Sequence, residues 1–265
     1  MVGDNGGNVG HSFVRSITAL VAAISVQAIL GAQTPNVPDL SGDWSHTVVV
    51  SVSAADPRAA TRGKEPDIPY LPWAREKTLS EVSTTGGDGQ FERNTDPYVH
   101  YCEPLGLVRM FGYPGKTRFI QTPEAVYILD EIGPLFRVVW LNGKHPEDPD
   151  PQYLGHSIGW YEGGNTLVVD TVGTNGKTWL DQAAHIFTEQ MHLVERFTRV
   201  DRDTLAYEFT IDDPGAYTKP WGLKRNFRRS ETGFLRYQWV CSVRDTYEHF
   251  EKVGRQGTVG ESTFK

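Results

Sequence analysis

The chain has 265 residues, of which 38% are hydrophobic and 22% charged, an ordinary balance for a globular protein. Its 26 basic and 33 acidic residues give a formal charge of −7, and Lys and Arg are nowhere concentrated. A nucleic-acid surface needs a dense positive patch, so that class of partner is set aside, and the acidic balance speaks mainly to solubility.

The N-terminal stretch reads as a targeting segment. Arg15 precedes the apolar run ITALVAAISVQAILGA, which ends in the small residues Gly31 and Ala32. A positive flank, a short apolar core and a small-residue end are the pattern of a secretory signal peptide, so residues 1–32 are expected to be removed on export. Ser25 and Gln27 interrupt the run, which falls short of the about 20 apolar residues of a membrane span. An uncleaved anchor is the alternative. No later segment is apolar enough to span a membrane, so the mature protein is expected in the periplasm or outside the cell.

A single domain over residues 33–250 is expected, because all-β domains reach this size as one unit. After the Pro-marked lead QTPNVPDLSGDW, a first strand is read at Trp44–Val52. Residues 54–96 are rich in Pro, Gly and charge and read as a long surface loop. One short helix is expected within it, Pro72–Val82, since Pro is well placed in a first helical turn. From Lys116 onward the chain becomes regular. Strands are expected at Lys116–Gln121, Ala125–Asp130, Leu135–Leu141, His156–Tyr161, Thr166–Val172, Met191–Val200, Thr204–Ile211, Trp221–Arg228 and Phe234–Val243. Turn signals separate several of them, including Gly163-Gly164-Asn165 and Asp201-Arg202-Asp203. Residues 251–265 read as a flexible tail. The fold expected is all-β: a single antiparallel meander barrel or bent sandwich of about eight to ten strands, lipocalin-like by analogy of pattern only.

Both cysteines, Cys102 and Cys241, lie after the signal. Export permits a disulfide between them and the even count fits, with two buried free thiols as the alternative.

Strand alternation assigns side chains to faces. Leu205, Tyr207, Phe209 and Ile211 share one face. Met191, Leu193, Glu195 and Phe197 share another, which places a carboxylate among apolar neighbours. Asp170 falls with Val168 and Val172, and His156 with Ile158 and Trp160. An unpaired buried carboxylate is costly, so Glu195 and Asp170 are expected to have partners or to face a wet cavity. Glu195 and Asp170 with His185 and His192 are the candidate acid/base groups, because such carboxylates and imidazoles titrate where proton transfer is useful. His192 and Glu195 project to opposite faces of a regular strand. A structural ion pair of Glu195 with Arg137 or Arg225 is the plainer reading. Trp179, Asp181, Tyr217, Trp221, His145 and His156 are candidate substrate contacts, with Trp179 and Asp181 in a lid and Tyr217 and Trp221 at a barrel mouth. Histidine and carboxylate also suit zinc, but there is no HExxH or CxxC, so neither metal nor organic cofactor is expected. No GxSxG, phosphate loop or dinucleotide fingerprint is present.

The segments HPEDPDPQYLGHSIGWYEGGNTLVVDTVG, TWLDQAAH, MHLVERF and IDDPGAYTKPW resemble those of an exported, largely uncharacterised bacterial protein family. The likeness runs from about Pro104 to Val240, and its motif positions include His145, Asp148, Asp170, Asp181, His185, His192 and Glu195. It implies export and common descent, not a reaction.

Three functions are compatible with this reading. The first is an acid/base enzyme acting without a cofactor on a small, partly apolar molecule in a barrel cavity, by isomerisation, elimination, cyclisation or hydrolysis. The second is a periplasmic carrier of a hydrophobic ligand. The third is a structural envelope protein. The export reading has a direct check. N-terminal sequencing and intact mass, with and without reductant, should show envelope-fraction protein beginning near residue 33 with both thiols resistant to alkylation until reduced.

Overall fold

The computed structural model describes residues 37–46, 68–81, 95–112, 115–132 and 136–233. The signal segment, the expected strand Phe234–Val243, the tail and Cys241 lie outside the described residues, and so does any bridge from Cys102. Nine strands form a closed barrel in chain order: β1 Gly42–Ser45, β2 Lys116–Gln121, β3 Ala125–Asp130, β4 Phe136–Leu141, β5 His156–Glu162, β6 Thr166–Val172, β7 His192–Arg199, β8 Thr204–Asp212 and β9 Trp221–Arg229. Helix α1 spans Pro72–Ser80, and the four-residue helix α2 spans Pro97–His100. No helix among the described residues is long and apolar enough to cross a membrane.

The fold is the expected all-β barrel, and the alternation read from the sequence is the alternation observed on β7 and β8. Leu205, Tyr207, Phe209 and Ile211 point into the barrel and are buried, as are Leu193, Glu195 and Phe197 opposite them. Strand β1 begins earlier than expected and is short, and the continuation read through Val52 passes out of the described residues. β1 closes the ring by pairing Trp44 with Arg229 and Ser45 with Arg228. The Trp44 indole donates to the Leu40 carbonyl at 2.8 Å and carries the Arg199 guanidinium 4.7 Å from its ring. Such a stacked cation steadies the seam.

The meander is antiparallel with one exception that the sequence did not reveal. β4 and β5 run parallel, pairing Val139 with Ser157, Trp140 with Ile158 and Leu141 with Gly159. The cause is arithmetic. Strand direction alternates around an antiparallel ring, so a ring of nine must contain a parallel pair. An eight-stranded lipocalin-like barrel has no such need. A parallel connection has to carry the chain back along the barrel, which takes a dozen or more residues. Residues 142–155 do this as a strap over the outer wall. The strap is fastened by Asn142 N–H to the Gly159 carbonyl at 2.9 Å and by Gln152 N–H to the Gly173 carbonyl at 2.9 Å. Gly173 is required where Pro149 crosses: its φ is +70°, and a Cβ there would meet Pro149 at 2.9 Å.

Inside, aromatic rings fill the barrel. Phe111, from a 3-10 turn at Arg109–Phe111, plugs the interior and lies 4.8 Å from Tyr207, 5.5 Å from Phe227 and 5.6 Å from Phe197, ring centre to ring centre. Through these rings runs one ion pair, Arg137 to Glu195 at 2.6 Å, with both side chains fully buried. Helix α1 is docked from outside. Leu71 N–H donates to Ala216 O at 2.8 Å, Thr218 N–H to Pro69 O at 2.7 Å, and the Trp73 indole to Gly215 O at 3.0 Å.

Removing one member of a buried pair strands the other charge, at a cost of about 3–5 kcal/mol, whereas removing both does not. Glu195→Gln should therefore lower the melting temperature by about 6–20 °C. The double variant Arg137→Met with Glu195→Met should recover most of the loss, as read by calorimetry. Equal losses in the single and double variants would exclude the pair as the source.

Candidate functional site

The candidate residues separate into three places. Glu195 is in the core. Its Oε1 accepts from the Tyr207 hydroxyl at 2.9 Å, and its other oxygen pairs with Arg137. Arg137 in turn donates from Nε to Ser157 Oγ at 3.0 Å and from Nη2 to Thr171 Oγ1 at 2.6 Å. Burial, and then the charge of Glu195, hold the Tyr207 phenol well above its ordinary range, so it serves as a donor. Of the two arginines the sequence offered as partners, the structure pairs Glu195 with Arg137. Tyr207, Ser157 and Thr171 were not among the candidates. Their signal was a polar group at an inward register position.

His185 and Asp181 lie at one end of the barrel, in the connection between β6 and β7. The His185 ring Nδ1 meets Asp181 Oδ2 at 2.8 Å, and Asp181 Oδ1 accepts from Ala183 N–H at 2.8 Å, so the carboxylate orders its own turn. His185 is fully buried. It stacks on Tyr70 with ring centres 6.0 Å apart, and Tyr217 lies 5.5 Å from Tyr70 and 5.2 Å from Trp221. The Tyr217 hydroxyl donates to Ile186 O at 2.5 Å. Trp179 is buried with Arg109 over its ring at 5.5 Å. The residues expected in a lid and a mouth are thus packed together as the cap of the barrel.

The third place is the outer wall, where four candidates converge. Asp170 points outward from β6, the reverse of the inward placement its valine neighbours implied. Val172 lies on the outer side where the strap crosses, and Val168 sits between its cross-strand neighbours Trp160 and Arg196, so alternation there does not distinguish inside from outside. Asp170 Oδ1 lies 2.8 Å from His145 Nε2, and Oδ2 lies 2.8 Å from His192 Nε2. His145 Nδ1 lies 2.9 Å from His156 Nδ1. β5, β6 and β7 supply His156, Asp170 and His192 from adjacent strands, and the strap lays His145 across them. The side chains remain open to solvent: His192 is 44% exposed and Asp170 19%.

The hydrogen bonds order the protons. With Asp170 ionised and His145 in its Nε2–H tautomer, Asp170 accepts from Nε2–H of both His145 and His192. His145 Nδ1 then accepts from His156 Nδ1–H, which leaves Nε2 of His156 as a bare lone pair. The electrostatics push the two ends apart. The hydrogen bond to Asp170, outweighing partial burial, raises the His192 pKa. Burial first, and then the neighbouring His145, lower that of His156. Burial alone would raise Asp170, but the bonds from His192 and His145 together hold it below the ordinary carboxylate range. The four groups are committed to one another in a chain. Among the described residues, no set of three or more His, Cys, Asp or Glu is arranged to hold a metal ion.

A separate pocket of about 500 Å³ opens at the end of β5 among Val37, Thr122, Leu141, Asn142, Trp160 and Tyr161. No protein-family model, curated protein or solved structure matches the chain.

The Asp170–His192 pair should leave a pH signature. A raised histidine stabilises fully below its unfolded value, 6.5, and the benefit is lost as pH rises through the folded value. A lowered aspartate stabilises fully above 3.8, and the benefit is lost as pH falls through its folded value. Denaturant unfolding of wild type and Asp170→Asn should differ most between these two values and converge on either side. The difference should be about 1 kcal/mol or less, because water screens half-exposed pairs. His156 works in the opposite sense but does not touch Asp170, so its effect cancels in the comparison.

Proposed function

We propose that the protein is an acid/base enzyme needing no cofactor, and that it moves a proton within a small, partly apolar organic molecule held against the outer wall of the barrel. Isomerisation and elimination are the reactions of this kind. The observation that carries the reading is the relay itself: His156 and His192 are its two ends, joined through His145 and Asp170 and shifted in opposite directions. His156, with its lowered pKa, is the base. His192, with its raised pKa, is the acid. Asp170 and His145 position them and let the charge created at one end be compensated at the other. Ile158 and Val172, beside Asp170 and His156 on the outer face, offer the apolar part of the substrate a surface.

Glu195 has no chemical step in this reading. Its oxygens are engaged in the core, which supports the structural alternative. The carrier function remains the second reading, favoured by the mainly apolar pocket at Leu141, Trp160 and Tyr161. Export, the family resemblance and a Cys102–Cys241 bridge belong to the same proposal.

Proton exchange tests it across many candidate substrates at once. A panel of small carbon acids is incubated with the protein in D2O, and loss of C–H signals is followed by NMR. Exchange should depend on pH as a bell, and His156→Gln and His192→Gln should each slow it about 10²–10⁴-fold, the usual worth of one positioned acid or base. Binding measured in parallel should change little. Full exchange activity in both variants would dismiss the relay as the site, and tight binding with no exchange by wild type would favour the carrier.

A further inference from the structure

The outer-wall relay leaves unexplained a cation inside the barrel. Arg225 projects inward from β9, directly across from Tyr207 on β8. Its Nη1 donates to the Phe111 carbonyl at 3.3 Å, a long bond. Its Nε and Nη2 are shielded from solvent and meet no acceptor among the described residues. Arg137 has Nη1 in the same condition. Both guanidinia lie close enough to the Tyr207 hydroxyl to act on it electrostatically. The carboxylate beside them is Glu195, which is committed to Arg137 and Tyr207. Asp181 also acts on Arg225, but its two oxygens accept from His185 and Ala183. What the two carboxylates leave unmet is hydrogen bonding: Arg225 Nε and Nη2 and Arg137 Nη1 have no acceptor among the described residues.

A buried donor without an acceptor is costly, and guanidinium is the side chain least able to shed its proton in response. Its planar fork presents N–H groups in the spacing that an oxyanion accepts. We infer that the barrel interior is a receptor for a small monovalent anion, either chloride or the carboxylate of a small organic acid, seated on Arg225 in the field of Arg137. Burial pulls the Arg225 pKa down, against the raising influence of Tyr207 and Asp181. The site is distinct from the outer-wall relay, so either assignment can fail without the other.

Thermal unfolding at fixed ionic strength and pH tests it, with sulfate as the background salt replaced stepwise by chloride, formate or acetate. A ligand that binds only the folded state raises the melting temperature in a saturable way. We expect a rise of about 5 °C at saturation in wild type, given the usual size of such linkage. A response to chloride identifies a simple halide site, and a response to formate and acetate alone identifies a carboxylate site. Arg225→Met should lose the response, Arg225→Lys should weaken it, and Arg202→Ala, at an exposed position, should keep it. Chloride-35 line broadening by the wild-type protein, reversed by formate, gives a reading that does not depend on any variant folding. Equal melting temperatures in all salts together with no line broadening would overturn the inference. So would an anion response that survives in Arg225→Met.

Discussion

A closed ring of nine strands cannot alternate direction all the way round, and the consequences of that parity reach the candidate site. The mismatch falls between β4 and β5, and the chain must then return along the barrel before β5 can begin. Residues 142–155 make that return on the outside, because aromatic rings already fill the inside. The strap arrives over β5 and β6 carrying His145, which meets Asp170 on one side and His156 on the other. With an even number of strands and a tight hairpin at the same place, His145 would have no reason to lie near β6.

The interior follows a different logic. Phe111, Phe197, Tyr207, Phe209 and Phe227 supply the apolar area, yet the fold admits Arg137, Glu195 and Arg225 among them. Buried ions stabilise little compared with apolar residues of the same size, but breaking a pair is severe. Arg137 reaches from β4 to Glu195 on β7, and its Nε and Nη2 also donate to Ser157 on β5 and Thr171 on β6. One side chain thus ties together strands on both sides of the parallel pair, whose ladder is the least extensive between consecutive strands from β2 onward.

The two histidine–carboxylate arrangements show how environment separates similar chemistry. Asp181 and His185 are a fully buried pair that shapes a turn and supports the aromatic cap over α1. Asp170 and His192 have a bond of the same length, but they stand at the solvent edge, where a proton can enter and leave. Bond length does not distinguish them. Accessibility does, together with the second and third imidazoles that make the outer arrangement a relay.

The sequence by itself determined the strand content, the inward faces of β7 and β8 and the burial of Glu195, because these depend on a period of two and on where apolar side chains recur. It also required that Glu195 have a partner or face a wet cavity, since an isolated carboxylate could not be buried there. Choosing Arg137 over Arg225 took the tertiary structure, because only the curvature of the ring sets which inward side chains meet across it. The outward placement of Asp170 was likewise hidden. Its neighbours Val168 and Val172 are apolar on both readings, and the strap that crosses beside Val172 belongs to another part of the chain. The relay joins residues at positions 145, 156, 170 and 192, whose spacing matches no local motif. Their meeting is decided by strand parity, a property of the closed ring that no local window of sequence contains.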